Sequence, residues 1–531
     1  MNMLSHLPFA VFVLALAGFG MVRINTILTY FQQEEYDSSR FLGAVLRVRL
    51  FDVLATLGLI ALIIANTFID LGPLVWLIAA ALLALISLRE RGYTYKKKLV
   101  ATERLKRIRW LARGFYLISL GLLFVHAFAV FAILQLVPLW IMLANRLLRP
   151  FQEAVNRGYV DQAVEKLQAF EPVTIGITGS FGKTTTKHIF AEILESAGPV
   201  FYSPGSINTV LGLTRNIREK LQRGHKYFIA EMGAYGIGSI KRLCDFSDPE
   251  FGIVTAIGNA HTERFGDIAT IAKAKSELVE HVCARGGMAV YPHEILEHKP
   301  FTDLRAQYPD LIRTVGDTAA ADFQIVSAKL EDSNWAISLQ NTRAPSEPPI
   351  TYTLPLLGDH NILNSALAVA MTYLISPATA TRIPAFSKDV EQVQHRLQKV
   401  DSPGQPLVLD DAYNSNEVGF KNAVTVLSEL ARQRGGKAIL VTPGVAEMGL
   451  EHDRVHGRLG EHASTLCDTV IAVNPDRIEA FASALDKTKV DYHARNSFAE
   501  ARRLVSELSS EKDVVLYEND LPDLLEETRL L

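Results

Sequence analysis

Apolar residues fall along this chain in two different rhythms. Near the start they form continuous blocks: Leu7–Val22, Phe51–Ile69, Leu74–Leu88 and Gly114–Leu148. Beyond residue 170 they come in short runs, separated by segments where apolar positions recur with helical spacing. The long blocks predict membrane helices, since a helix needs roughly 20 apolar residues to cross hydrocarbon. Gly114–Leu148 is too long for one ordinary span and contains Pro138. It predicts two helices in a tight hairpin, or one span plus a helix lying at the interface. About four or five membrane helices are expected.

The later rhythm predicts alternating strands and helices. Val173–Ile177, Tyr227–Met232 and Phe251–Ile257 read as strands, and Thr184–Ser196 and Val210–Leu221 as helices. Such alternation implies a parallel sheet covered on both faces. Phe323–Thr353 reads as short strands around a Pro-rich loop, Ala344–Pro349, and Gly358–Asn364 opens a small-residue helix running through Leu374. Ser376–Pro384 lacks periodicity and reads as a linker. Leu407–Asp411, Ala438–Thr442, Thr469–Val473 and Val514–Tyr517 then predict strands of a second, smaller α/β domain. The expected class is α/β: N-terminal transmembrane helices (1–150), a central domain on a parallel sheet (151–385) and a smaller C-terminal domain (386–531). Phe151–Phe170 reads as a short polar bridge.

Charge orients the membrane blocks. Arg89–Arg113 carries Arg89, Arg91, Lys96, Lys97, Lys98, Arg104, Lys106, Arg107, Arg109 and Arg113, and the loop after the first block carries Arg23, Arg40, Arg47 and Arg49. The turn Asp70–Pro73 carries no basic residue. The positive-inside rule puts both basic loops in the cytoplasm, and everything after Pro150 with them if the last block crosses twice. The first block lacks a signal peptide's basic start and cleavage site, so a retained anchor is expected. This predicts a multi-pass inner-membrane protein whose basic loop faces anionic lipid headgroups. The net charge of −3 gives no sign of a nucleic-acid partner. Cys244, Cys283 and Cys467 lie far apart, form no ligand pattern and fit a reducing compartment.

The densest chemistry is Thr178-Gly179-Ser180-Phe181-Gly182-Lys183-Thr184-Thr185-Thr186, between the first strand and its helix. Two glycines let backbone N–H groups fold around an anion, and the helix N-terminus adds partial positive charge. Lys183 supplies a full charge for the β- and γ-phosphates of ATP, and the Thr184 hydroxyl is a Mg²⁺ ligand. The spacing departs from the strict phosphate-loop pattern, because Ile177 stands where a first glycine would fall. Glu231 and His261 end the following strands, where ligands bind in such sheets, and suit an ATP-bound Mg²⁺. His293, Glu294 and His298 have the wrong spacing for a helical zinc site. His452 and His456 are four apart but lie in a charged segment expected to be exposed.

From about Phe170 to Leu531 the sequence resembles the Mur ligases, which join an amino acid or peptide to a carboxylate using ATP. The type that adds D-alanyl-D-alanine to a UDP-linked muramoyl tripeptide is the nearest in look. Six motifs carry the resemblance in the family's order: Thr178–Thr185; Glu231-Met232-Gly233; Ala260–Gly266, containing His261; Ala272–Glu277, containing Lys275; His360–Asn364; and Asp411–Asn416.

The resemblance implies site residues. Gly179, Ser180, Gly182, Lys183, Thr184 and Thr185 would hold the phosphates. Thr184, Glu231, His261 and Lys275 would surround Mg²⁺, with Lys275 as a carbamylated lysine. Asn361 and Asn364 would serve the nucleotide, Asn364 facing the adenine. Asp411 would take the ribose, and Arg396 would lie near the phosphates; Lys183, His261, Lys275 and Arg396 form the implied catalytic set. The implied chemistry is γ-phosphoryl transfer to a carboxylate of a muropeptide, then attack by an amine or dipeptide, in cell-wall synthesis. Membrane segments stand where the family's uridine-binding domain would be, so membrane lipids and membrane-bound cell-wall enzymes are expected partners. Two motifs depart: Asn416-Glu417 replaces the usual Asn-Pro, and Tyr517–Pro522 replaces a Lys-Gly-Ser pattern. The alternatives are a ligase for another polymer such as poly-γ-glutamate, one acting on a lipid-linked precursor, or a non-catalytic ATP-binding membrane scaffold.

Overall fold

The computed structural model describes residues 7–34, 36–47, 51–93, 95, 99–258, 265, 267–331, 334–412, 416–446, 448, 451–485 and 488–519. They divide into two compact units, one through Asn156 and one from Arg157.

The N-terminal unit is helical. Its helices include Leu7–Gln33, Leu54–Ile69, Leu74–Arg91, Glu103–Ser119 and Ala129–Gln135. Among the described residues, Leu7–Gln33 is the one helix long and apolar enough by itself to cross a membrane. Ala129–Gln135 and Val137–Phe170 pass that test only together, with a 56° bend between them. The expectation of four or five spans is therefore reduced. Leu54–Ile69 has 16 residues, or about 24 Å of helix against roughly 30 Å of hydrocarbon. The Gly114–Leu148 block is broken into the end of one helix, a 3₁₀ turn at Leu120–Phe124, the short helix and the start of the next. Pro138 sits in the first turn of that next helix, where a missing N–H costs nothing.

The polar bridge is also corrected. Phe151–Phe170 continues the helix Val137–Phe170, with Pro150 inside it. Val160, Ala163, Val164, Leu167 and Phe170 recur every three or four residues and pack with Ile217 and Phe228. That apolar stripe explains a helix where polarity suggested a bridge.

The second unit holds two sheets. The larger comprises β1 (Val173–Thr178), β2 (Val200–Tyr202), β3 (Tyr227–Glu231), β4 (Phe251–Val254), β5 (Met288–Pro292), β6 (Ile312–Gly316), β7 (Phe323–Glu331), β8 (Asn334–Asn341) and β9 (Ile350–Leu354). Their order is β2-β3-β1-β4-β5-β6-β7-β8-β9. Pairing is parallel as far as β7, and β7-β8-β9 add an antiparallel extension to the parallel sheet expected. β1 sits centrally between β3 and β4 and is almost wholly buried, which is why it reads as a continuous apolar run. The helix His360–Ile375 packs on the helix Lys183–Leu194, and its Ala366, Ala368 and Ala370 are fully buried.

The smaller sheet comprises β10 (Gln398–Val400), β11 (Leu407–Asp411), β12 (Ala438–Thr442), β13 (Thr469–Val473), β14 (Asp491–Arg495) and β15 (Val514–Glu518), in the order β10-β11-β15-β12-β13-β14. The two edge strands were not expected, because Gln398-Lys399 and Asp491–Arg495 contain no apolar run. The supposed linker is ordered: Pro377–Thr379 and Ile383–Phe386 form helical turns, and Ile383 enters the core beside Phe190.

Candidate nucleotide site

The loop between β1 and the helix Lys183–Leu194 depends on two glycines in conformations that other residues avoid. Gly179 has φ 155° and Gly182 has φ 80°. A Cβ on Gly179 would come 2.0 Å from Thr255 Oγ1, and one on Gly182 2.8 Å from Asn364 Oδ1. The loop is pinned to the end of β4. Ser180 N–H donates to the Ala256 carbonyl at 2.8 Å, and Ser180 Oγ donates to the Gly258 carbonyl at 3.0 Å. Thr255 Oγ1 donates to the Phe181 carbonyl.

Two lysines converge on one carbonyl of this loop. Lys183 Nζ donates to Gly179 O at 2.7 Å, and Lys275 Nζ donates to the same oxygen at 3.0 Å. Lys275 is only 4% exposed, so it is not a surface lysine. Burial, then the charge of Lys183, holds its ammonium well below the ordinary lysine range. Burial also lowers Lys183, against the pull of Glu231.

Beside the loop, Thr184 Oγ1 lies 3.2 and 3.1 Å from the two Glu231 carboxylate oxygens and 3.1 Å from Ser206 Oγ. Glu231 is reached by no solvent to speak of and is paired with Lys187, which donates to Oε2 at 3.0 Å. Lys187 was missed by motif reading, yet it lies four residues after Lys183, one helical turn along the same face.

A cleft of about 240 Å³ opens next to the loop, lined by Thr185, Asn361, Asn364, Arg396 and Asp411 among others. Asn364 accepts from Thr186 Oγ1 at 3.1 Å and donates to Asn361 Oδ1 at 3.1 Å, so it braces the phosphate loop as well as lining the cleft. Asp411 accepts from Leu397 N–H at 3.0 Å. It stands opposite buried Glu518 in the β11–β15 pairing, and burial raises its pKa against the opposing charge of Arg396. The C-terminal departure thus supplies a carboxyl neighbour for Asp411, while Asn519 N–H donates to the Asp411 carbonyl at 3.1 Å. Glu294, set aside as part of a failed zinc pattern, also lines the cleft. His360 is another wall residue of the cleft.

His261, together with residues 413–415 of the last motif, lies outside the described residues. His456 is corrected: it is fully buried, its Nε2 accepting from Val445 N–H at 3.1 Å. Its helix His452–Leu466 turns Val455, His456 and Leu459 inward, which the surrounding charges concealed.

These residues fit the groups that the sequence implied. The loop is a cradle whose walls exclude side chains, with a lysine at its lip, as a phosphate chain requires. Thr184 and Glu231 offer an all-oxygen donor set at the helix start, suited to a small hard cation that keeps water and phosphate oxygens as its other ligands.

Comparison with known proteins agrees. Residues 177–372 match the model of the Mur ligase middle domain, and 395–517 that of the Mur ligase glutamate ligase domain. The UDP-N-acetylmuramoyl-tripeptide–D-alanyl-D-alanine ligase of Escherichia coli is 29% identical over 56% of this chain and 64% of its own. That of Mycobacterium bovis is 30% identical over 54% and 55%. The chain therefore spans less than two thirds of the length of these two relatives. The crystal structure of MurF from Acinetobacter baumannii superposes with a TM-score of 0.58 at 25% identity, covering 69% of this chain and 77% of that one. MurF from Thermotoga maritima, solved with ADP, shares the fold at 23% identity and a TM-score of 0.58, over 69% and 80%. The phosphate loop, the buried Glu231 and the cleft all lie within the matched segments, and through its middle and C-terminal domains the chain belongs to the Mur ligases.

Proposed function

We propose that this protein is an ATP-dependent ligase that joins an amine, of the D-alanyl-D-alanine kind, to a carboxylate of a muramoyl peptide in cell-wall synthesis. The observation that carries the reading is the cluster of Lys183, Thr184 and Glu231 beside a cleft that Asn361, Arg396 and Asp411 also line. ATP is a substrate here. The loop backbone and Lys183 hold its phosphates, Thr184 and Glu231 hold Mg²⁺, and the cleft takes the nucleoside, with Asp411 at the ribose and Asn364 near the base. Mg²⁺ would supply charge neutralisation at the phosphates.

A carboxylate oxygen is a poor leaving group. The acceptor carboxylate therefore attacks the γ-phosphorus, the bond to ADP breaks, and an acyl phosphate forms. The amine then adds to the acyl carbon, loses a proton and expels phosphate. The protein's task is positioning and charge. Lys183 follows the transferring phosphoryl oxygens, Arg396 adds a second cation from the cleft wall, and His261 belongs to the same motif set. Lys275 works as a carbamate: its buried amine adds to CO₂ and releases a proton. Two cations crowding one carbonyl then become a cation and an anion, supported by the depressed ammonium of Lys275.

The 27-residue apolar helix supports attachment to a membrane; an inner-membrane place with the ligase domains in the cytoplasm follows from the basic segments under the positive-inside rule. A multi-pass arrangement and contact with membrane-bound cell-wall enzymes belong to the same reading. The test uses full-length detergent-solubilised protein, ATP and Mg²⁺, with UDP-linked or lipid-linked muramoyl tripeptide and D-alanyl-D-alanine. Phosphate release that needs both carboxylate and amine is expected. Release with neither, or none with any pair, rejects the ligase. External labelling of a cysteine placed at Tyr93 in intact cells rejects the orientation.

A further inference from the structure

The N-terminal unit contains a cavity that the ligase reading does not use. Its volume is about 430 Å³, within the range of small-molecule sites. It lies along the second half of the helix Leu7–Gln33, at the end of Leu74–Arg91 and beside Glu103–Ser119. Asn25, Thr26 and Thr29 place polar groups on one face of the first helix, spaced by three or four residues. Glu90, Arg91 and Arg113 add charge to the wall.

The charges are unevenly satisfied. Arg23 donates to Asp52 Oδ2 at 2.8 Å, and Asp52 Oδ1 accepts the N–H groups of Ala55 and Thr56. Asp52 is therefore fully used. Glu90 is served less well: its side chain is 2% exposed, its nearest cation among the described residues is Arg23 at 3.6 Å, and apart from the Thr26 hydroxyl beside it neither carboxylate oxygen has a hydrogen-bond partner among the described residues. Arg113 makes one long hydrogen bond among the described residues, at 3.5 Å to Asn25 Oδ1, its guanidinium lies over the Trp110 ring, and its buried Nε has no partner among the described residues. A buried carboxylate and a guanidinium lining the same cavity, each with only part of its hydrogen-bonding capacity used, are costly unless something else supplies partners. Ionisable groups in such apolar helices commonly mark a binding pathway.

We propose that this cavity binds the headgroup of a membrane phospholipid that carries both a phosphodiester and a hydrogen-bond donor, an ammonium or a hydroxyl. Arg113 and Arg91 take the phosphate, for which a planar guanidinium is matched. Glu90 accepts from the donor. Among the described wall residues, two arginines and one glutamate leave a single excess positive charge, which suits one phosphodiester. The outside of the same unit supplies the place for the tails. Leu85 and Leu88 are exposed on the helix that carries Glu90, and Ile64 and Phe68 are exposed on the helix before it. The amphiphile's polar and apolar halves thus meet matching surfaces on one helix.

The test uses the full-length chain in phosphatidylcholine nanodiscs doped with phosphatidylethanolamine or phosphatidylglycerol, with retained lipid counted by native mass spectrometry. Wild type is expected to retain either doped lipid roughly tenfold over phosphatidylcholine, which lacks a donor. Glu90→Gln should abolish that preference, and Arg113→Gln should lower retention of all three lipids. Arg91 is exposed, so Arg91→Gln reads the same loss even if a variant at a buried position fails to fold. Lys183→Ala should bind lipid as wild type does, which separates this site from the nucleotide site. Equal retention of the three lipids by wild type, or selectivity that survives Glu90→Gln, overturns the proposal. So does displacement of the lipid by an equal concentration of water-soluble glycerophosphoethanolamine.

Discussion

Lys187 Nζ lies 3.0 Å from Glu231 Oε2, and both side chains are shut off from solvent. The same ammonium donates to the Gly205 carbonyl, tying the loop after β2 to the carboxylate that the phosphate loop shares through Thr184. Burial works against the Lys187 charge, and Glu231 works for it. The pair is therefore an internal counter-ion at the cation position, and removing one partner strands the other.

Lys187→Met should cost about 3 kcal/mol of stability at pH 7, as breaking a buried ion pair typically does. Thermal unfolding reads it. Millimolar Mg²⁺ should recover part of the loss in Lys187→Met, where Glu231 is unpaired, and none in the double variant Lys187→Met/Glu231→Gln. Equal recovery in both would remove Glu231 from the cation site.

Lys183→Ala keeps the backbone cradle and loses the mobile cation at the transferring phosphate. Turnover should fall at least about a hundredfold, the scale of one preorganised electrostatic contact. Asp411→Ala should chiefly raise the KM for ATP, because Asp411, a wall residue of the cleft, is assigned to the ribose and not to the transferring phosphate. Steady-state kinetics separates the two, and a kcat loss confined to Asp411→Ala would reverse these roles.

Gly182→Ala meets strain from two sources, the positive φ of 80° and the Asn364 amide 2.8 Å from the new Cβ. Nucleotide binding should weaken by about tenfold or more, the equivalent of 1–3 kcal/mol of backbone strain. Adding Asn364→Ala should return little, since the dihedral cost remains. Full recovery in that double variant would show that only the contact mattered. Calorimetric titration with ATP makes the measurement.

Glu417 is gripped by Arg458 through two bonds of 2.8 and 2.7 Å, and this contact first, with Lys421 also contributing, holds its carboxyl down to about 2. The folded value lies below the unfolded one, so the contribution is present above the ordinary value of about 4.5. It is lost as pH falls through about 2. Arg458→Ala should then cost about 1 kcal/mol at pH 7, given partial solvent screening. In denaturant titrations the gap from wild type should narrow between those two pH values. A gap independent of pH would assign the loss to packing.

Much of the site was legible in the linear sequence because its physics is local. A phosphate loop needs glycines, a lysine and a helix start within a few residues, and Gly179, Gly182, Lys183 and Thr184 stand in that order. The central strands were legible because a strand buried on both faces is an unbroken apolar run, as β1 is. Other features depend on partners far along the chain. The reach of Lys275 to the Gly179 carbonyl spans 96 residues, and the Asp411–Glu518 pairing joins two strands that no spacing relates. His456 looked exposed because its neighbours are charged, and only packing turned it inward. Glu417 stands at the helix start, where the family pattern has proline, and Asn416 caps that helix. Sequence alone marked the substitution as a departure. The fold, by bringing Arg458 from another helix, made it an anchored charge. Hydrophobicity marked which N-terminal segments were apolar, but helix length and breaks decided which could span, because hydrogen-bonded geometry and not composition sets the reach of a helix.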